Sequence, residues 1–129
     1  MQIESATPLR VFLVEDSPAV LERLEAMLEA VSAREVGHAN GAQEAIRRIL
    51  AERPDLVVLD LRLAEGSGFD VLRVLHERAP DVDVLMLTNF ASEPYRRMAE
   101  RLGARGFYDK TTEFDGVRAA LEARARRLH

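Results

Sequence analysis

The chain contains no cysteine. Disulfides, thiolate nucleophiles and cysteine-ligated metals are therefore excluded, as fits a reducing compartment. No apolar run approaches the roughly 18 residues needed to span a bilayer. The start, Met1-Gln2-Ile3-Glu4-Ser5, lacks the basic flank and apolar stretch of a signal peptide. The expectation is a soluble cytoplasmic protein with no membrane association. Excess positive charge is lacking too: 18 Lys and Arg stand against 22 Asp and Glu, a net charge of −4. That balance argues against direct nucleic-acid binding. The one basic cluster, Arg124, Arg126 and Arg127, suits the last turn of a helix better than a phosphate-binding tail. Gly66 and Gly68 do not build a G-x-G-x-x-G turn after the first strand, so the dinucleotide fingerprint is missing.

What is present is enough for one core. The 129 residues are 47% hydrophobic, which suits a single domain of this size. The expected domain spans residues 1–129, with an ordered core over about 9–128 and a disordered extension at 1–8.

Short apolar runs alternate with helical patterns. Leu9 to Val14 reads as a buried strand. Ser17 and Pro18 then supply an N-cap and a first helical residue, with Leu21, Leu24, Leu28 and Val31 at helical spacing. Arg34 to Ala39 predicts a second strand. Ala42, Ala45, Ile46, Ile49 and Leu50 predict a second helix, stopped near Pro54. Leu56 to Leu59 is the clearest buried strand, followed by a loop over Arg62 to Gly68. Phe69, Leu72 and Leu75 mark a third helix, closed by Pro80. Val82 to Leu87 predicts a fourth strand, and Pro94 opens a helix ending near Leu102-Gly103. Gly106 to Tyr108 is a short fifth strand. Phe114, Val117, Leu121, Ala125 and Leu128 space a final helix. Five strand–helix units with strands apolar on both faces predict an α/β fold. It is doubly wound and flavodoxin-like, (βα)5, with a five-stranded parallel sheet in the order 2-1-3-4-5.

Ligands of such sheets bind beyond the carboxyl ends of the strands. Strand one ends in Glu15-Asp16, strand three in Asp60 and strand four in Thr88. Strand five is followed by Asp109-Lys110. Three carboxylates in one cleft repel one another, and a hard divalent cation relieves the repulsion. Oxygen-only ligands favour Mg²⁺. Asp60 is then placed as a nucleophile for a phosphoryl group, with Lys110 and the metal to neutralise its oxygens and the Thr88 hydroxyl to donate to it. Each residue alone has an ordinary explanation: helix cap, turn residue, strand end or solvated surface. The ordinary explanations together require four coincidences at one sheet edge.

The segments Val14-Glu15-Asp16-Ser17, Val58-Leu59-Asp60-Leu61-Arg62-Leu63, Leu87-Thr88 and Tyr108-Asp109-Lys110, with Gly68 in the intervening loop, resemble the receiver domains of bacterial response regulators. The resemblance covers about residues 9 to 128. It implies that Asp60 accepts phosphate from a sensor histidine kinase or phosphotransfer protein. It implies that Asp16 binds Mg²⁺ directly, Glu15 through water, and that Asp60 and the Arg62 backbone carbonyl complete the protein ligands. Thr88 and Lys110 would contact the phosphoryl group. Phe107 stands at the family's aromatic switch, whose inward turn repacks the face of helix four, strand five and helix five toward a downstream protein target. A phosphorylation-dependent homodimer is one assembly such a surface allows. Residues Phe107 to Phe114 also resemble the endings of some stand-alone receivers.

Thr111, Ala64 and Asn89 stand where this family usually has proline, proline and alanine. Arg62 and Phe90 stand at positions that tune phosphate lifetime, and their bulk is expected to shield the acyl phosphate. Two other readings use the same residues: a pseudo-receiver acting through constitutive protein contacts, and a small metal-dependent phosphatase. His38, His76 and His129 are too scattered for a metal site. His76 reads as a surface helix histidine rather than a phosphorelay group. Tyr95, Arg96, Arg97 and Met98 read equally as partner surface and as solvent face.

Overall fold

The structure is a computed structural model that describes residues 7–128; the expected extension falls mainly in residues 1–6, outside the described residues. Five strands alternate with five helices: β1 (Arg10–Val14), α1 (Pro18–Ala30), β2 (Arg34–Ala39), α2 (Ala42–Glu52), β3 (Leu56–Leu59), α3 (Gly68–Arg78), β4 (Asp83–Thr88), α4 (Glu93–Arg101), β5 (Gly106–Asp109) and α5 (Phe114–Arg126). All pairings are parallel, and the sheet order is β2-β1-β3-β4-β5. The expected doubly wound fold is the observed one.

The alternation of side chains along each strand sorts the core into two layers. Phe12, Val14, Val57, Leu59, Val84 and Met86 face α2, α3 and α4, packing on Ala45, Ile49, Val71, Leu72 and Leu75. Val11, Leu13, Val58, Leu85 and Leu87 face α1 and α5, packing on Leu24, Leu28, Val117 and Leu121. Burial on both faces is why β3 and the centre of β4, Val84 to Leu87, read as unbroken apolar runs.

Local signals set the helix ends. The Ser17 hydroxyl accepts from the Val20 N–H at 3.3 Å, and Pro18 opens α1. Ser67 and Asp70 form a reciprocal capping box that starts α3. Arg53 ends α2 in the left-handed region at φ +50°, just before Pro54. Several boundaries differ from the sequence expectation: β1 starts one residue later, at Arg10, and β5 ends one residue later, at Asp109. β4 runs one residue later, Asp83–Thr88, because Asp83 keeps the register with Leu56. α5 ends at Arg126, so Leu128 does not reach the core and is 37% exposed.

Candidate functional site

β1 and β3 are neighbours, with Val14 opposite Leu59. The residues that follow them, Glu15 and Asp60, therefore leave the sheet side by side, and the Asp60 N–H donates to the Val14 carbonyl at 3.0 Å. Glu15, Asp16 and Asp60 each offer a carboxylate oxygen, and these oxygens lie within 4.8 Å of one another. Glu15 and Asp60 are buried, whereas Asp16 is exposed at the rim. Lys110 follows β5, two strands away from β3, and its side chain reaches back across β4. Its Nζ lies 2.7 Å from Asp60 Oδ2 and 2.9 Å from Glu15 Oε1. The structure thus brings together four residues that stand up to 95 positions apart.

One buried ammonium among three carboxylates leaves the cleft negative. Burial pushes the Glu15 carboxyl above its ordinary value, against the opposing bonds from Lys110 and the Ser17 N–H. Burial alone would lower the Lys110 ammonium. Its hydrogen bonds to Asp60 and Glu15 outweigh that and hold it above its ordinary value, so it stays charged. Asp60 Oδ1 is buried without a hydrogen-bond partner. An orphaned carboxylate oxygen beside two further carboxylates is a costly arrangement unless a ligand uses it. An all-oxygen donor set with one such atom fits a hard divalent cation.

The loop that carries Lys110 is secured without the usual proline. The Thr111 N–H donates to Asp109 Oδ1 at 2.7 Å, and the Thr112 N–H to the same oxygen at 3.2 Å. Proline at position 111 could make no such bond. The Lys110 N–H donates to the Thr88 carbonyl at 3.0 Å, and Glu113 Oε1 accepts from the Asp109 N–H at 2.9 Å. This Asx-type turn is a local substitute for the ring of a proline. Gly68 holds the other side of the site. Its N–H donates to the Leu61 carbonyl at 2.8 Å. A Cβ there would lie 3.0 Å from the Asp60 carbonyl carbon and closer still to its oxygen, so only glycine lets α3 begin this near Asp60.

Thr88 ends β4 at the same sheet edge, fully buried, and its Oγ1 accepts from the Phe90 N–H at 3.1 Å. Phe107 already lies inward, 5% exposed, in the layer of α2, α3 and α4. Arg96 of α4 stacks over its ring at 5.0 Å and donates to its carbonyl at 3.0 Å. Arg62 and Asn89 are exposed at the mouth, and the Arg62 guanidinium lies 4.6 Å from the centre of the Phe90 ring.

The model of the response regulator receiver domain matches residues 11–122. This chain belongs to that family. It is 39% identical over 103 residues to the DNA-binding transcriptional activator DevR/DosR of Mycobacterium tuberculosis, covering 79% of this chain and 48% of that protein. It is 35% identical over 106 residues to protein-glutamate methylesterase/protein-glutamine glutaminase 3 of Geobacter sulfurreducens, covering 81% of this chain and 28% of that protein. The chain thus spans half or less of these relatives. Among solved structures, the signal receiver domain of a putative Luxo repressor protein from Vibrio parahaemolyticus superposes with a TM-score of 0.85 at 25% identity. That match covers 95% of this chain and 93% of the other.

In this receiver domain the acidic cluster stands where the family's phosphorylation site is expected. Among the described residues no helix is long and apolar enough to cross a membrane. The basic C-terminal residues have a structural partner: Asp83 Oδ2 accepts from Arg124 Nε at 2.6 Å and lies 3.5 Å from Arg127. Arg105 Nε lies 3.2 Å from Asp83 Oδ1. Asp83 lies within the run Val82 to Leu87 that predicts the fourth strand. An acid between Val82 and Val84 in a buried strand was the available signal. Among the described residues no second histidine joins His38, whose Nδ1 lies 2.9 Å from Glu35. His76 is exposed on α3, its ring close against Gly103.

Proposed function

We propose that this receiver is a phosphorylation-switched signalling module in which Asp60 accepts a phosphoryl group from the phosphohistidine of a sensor kinase or phosphotransfer protein. The observation that carries this reading is Asp60 itself: buried, with Oδ2 held by Lys110 at 2.7 Å and Oδ1 without a partner. An Asp60 carboxylate oxygen forms the new P–O bond, the P–N bond to the donor imidazole breaks, and that nitrogen takes up a proton. Lys110 neutralises charge on the phosphoryl oxygens. The Thr88 hydroxyl, once released from the Phe90 N–H, donates to one of them.

Glu15, Asp16, Asp60 and the Arg62 carbonyl would hold Mg²⁺. When bound, the ion supplies charge neutralisation at the phosphoryl oxygens. The output is a change in the face of α4, β5 and α5 around Phe107, read by a downstream protein, with a homodimer as one readout. The Asp60 adduct is stoichiometric, which separates this reading from a phosphatase that turns over external esters. The domain acts as one unit over residues 1–129, in the cytoplasm.

The reading is tested by labelling the chain with phosphoramidate, a small P–N donor, and following the stability of the label. An acyl phosphate on Asp60 is released by hydroxylamine and alkali. A label that resists alkali and is lost in mild acid would be a phosphohistidine, and would overturn the assignment.

A further inference from the structure

Beside the acidic cleft lies a second, chemically different surface. The loop after β3 and the start of α4 frame a groove lined by Leu61, Arg62, Ser67, Phe69, Phe90 and Tyr95. Among the described residues three large apolar side chains are exposed, and two of them, Phe90 at 42% and Tyr95 at 41%, line this one groove. Tyr95 packs edge-on against Phe69, with ring centres 5.8 Å apart, so its ring is held rather than free. Fixed aromatics on a surface present contact area at little entropic cost.

The charges of the groove are one-sided. Of the nearby acids, Asp70 caps Ser67 and pairs with Arg73, Glu93 pairs with Arg96, and Glu65 accepts from the Gln43 N–H of α2. Among the described residues Arg62 makes no ion pair, and its guanidinium contact is the face of Phe90 at 4.6 Å. A planar cation with free N–H donors, set between two exposed rings, is complementary to a carboxylate carried next to an apolar side chain.

We infer that this groove docks a segment of a partner protein in which an acidic residue flanks one or two apolar side chains. The carboxylate pairs with Arg62 and the apolar side chains pack on Phe90 and Tyr95. The proposal does not depend on phosphoryl acceptance by Asp60 and is tested on the unphosphorylated chain. A display library of random dodecapeptides is selected on the full chain. Recovered peptides are synthesised, their affinities measured by fluorescence polarisation, and their sites mapped by amide chemical shifts.

The expected result is a consensus of acid beside apolar residues, with shifts at Leu61 to Phe69 and Phe90 to Tyr95. Tyr95→Ala weakens binding roughly tenfold or more, while its thermal melt stays that of the wild type. Arg62→Glu abolishes it, and a Lys-for-Glu version of the peptide restores it. Peptides without an acid, peptides mapping elsewhere, or binding unchanged in both variants would overturn the proposal. So would self-association of the chain that Tyr95→Ala abolishes, because the groove would then belong to a second copy.

Discussion

Lys110 Nζ is 2.7 Å from Asp60 Oδ2, although β4 separates the strands that carry them. The two side chains are almost fully buried, and the ammonium also serves Glu15 at 2.9 Å. One cation therefore holds the proposed acceptor in place and offsets part of the charge that a metal would otherwise face alone. Replacing it separates two effects. In Lys110→Met the cleft is more negative, so Mg²⁺ binds severalfold more tightly by calorimetry. Labelling by phosphoramidate is slower by about 10²-fold, as expected for loss of one transition-state donor. Equal weakening of both would mean that Lys110 matters only for folding.

Glu15 sets a pH dependence. Burial raises its carboxyl above the ordinary value of 4.5, so the folded chain keeps this proton longer than the unfolded chain. Glu15 therefore costs stability progressively as pH rises from 4.5 to the folded value, and the cost is constant above it. Glu15→Gln does not titrate. Its stability advantage over the wild type, measured by urea unfolding in a chelator, grows across that window and then levels off. Addition of Mg²⁺ to the wild type reduces the gap.

The Arg62–Phe90 stack predicts a slow loss of phosphate. The guanidinium and ring, 4.6 Å apart, belong to the residues two positions after Asp60 and Thr88. After donor removal, decay of the phosphorylated chain is severalfold faster in Arg62→Ala and in Phe90→Ala. The double variant is little faster than either, because each half of the stack needs the other. Unchanged decay in both single variants would remove the shielding role.

The turn at Asp109 predicts a defect at a distance. Asp109→Ala deprives the Thr111 and Thr112 N–H groups of their acceptor. Stability falls by about 1 kcal/mol, and phosphoramidate labelling slows because Lys110 is less well placed. The same labelling rate with the same stability loss would show that Lys110 is positioned by its ion pairs alone.

The fold was legible because its signals are local. Ser17-Pro18 starts a helix through its own cap, and the run Leu56 to Leu59 cannot avoid burial on both faces. The acidic cleft was legible through topology: a 2-1-3-4-5 sheet brings the residues after β1, β3, β4 and β5 to one edge. Long-range side-chain choices were not legible. Nothing near Asp83 names Arg124 as its partner 41 positions on, nor does the α4 sequence reveal that Arg96 covers Phe107. Phe107 lies inward with Arg96 over its ring, a packing that no local pattern announces. Thr111 stands where the family usually has proline, and the turn holds for a local reason: an Asp two residues earlier supplies the acceptor that fixes it.

The central claim is that Asp60 is the Mg²⁺-dependent phospho-acceptor. The most direct test is the intact mass of the chain after incubation with a small phosphoryl donor, with and without Mg²⁺, for the wild type and Asp60→Asn. The account predicts one phosphoryl adduct in the wild type with Mg²⁺, and none without the metal or in the variant. An adduct of equal yield in Asp60→Asn, or no adduct in the wild type with Mg²⁺ from either a small donor or a phosphorylated histidine protein, would contradict it.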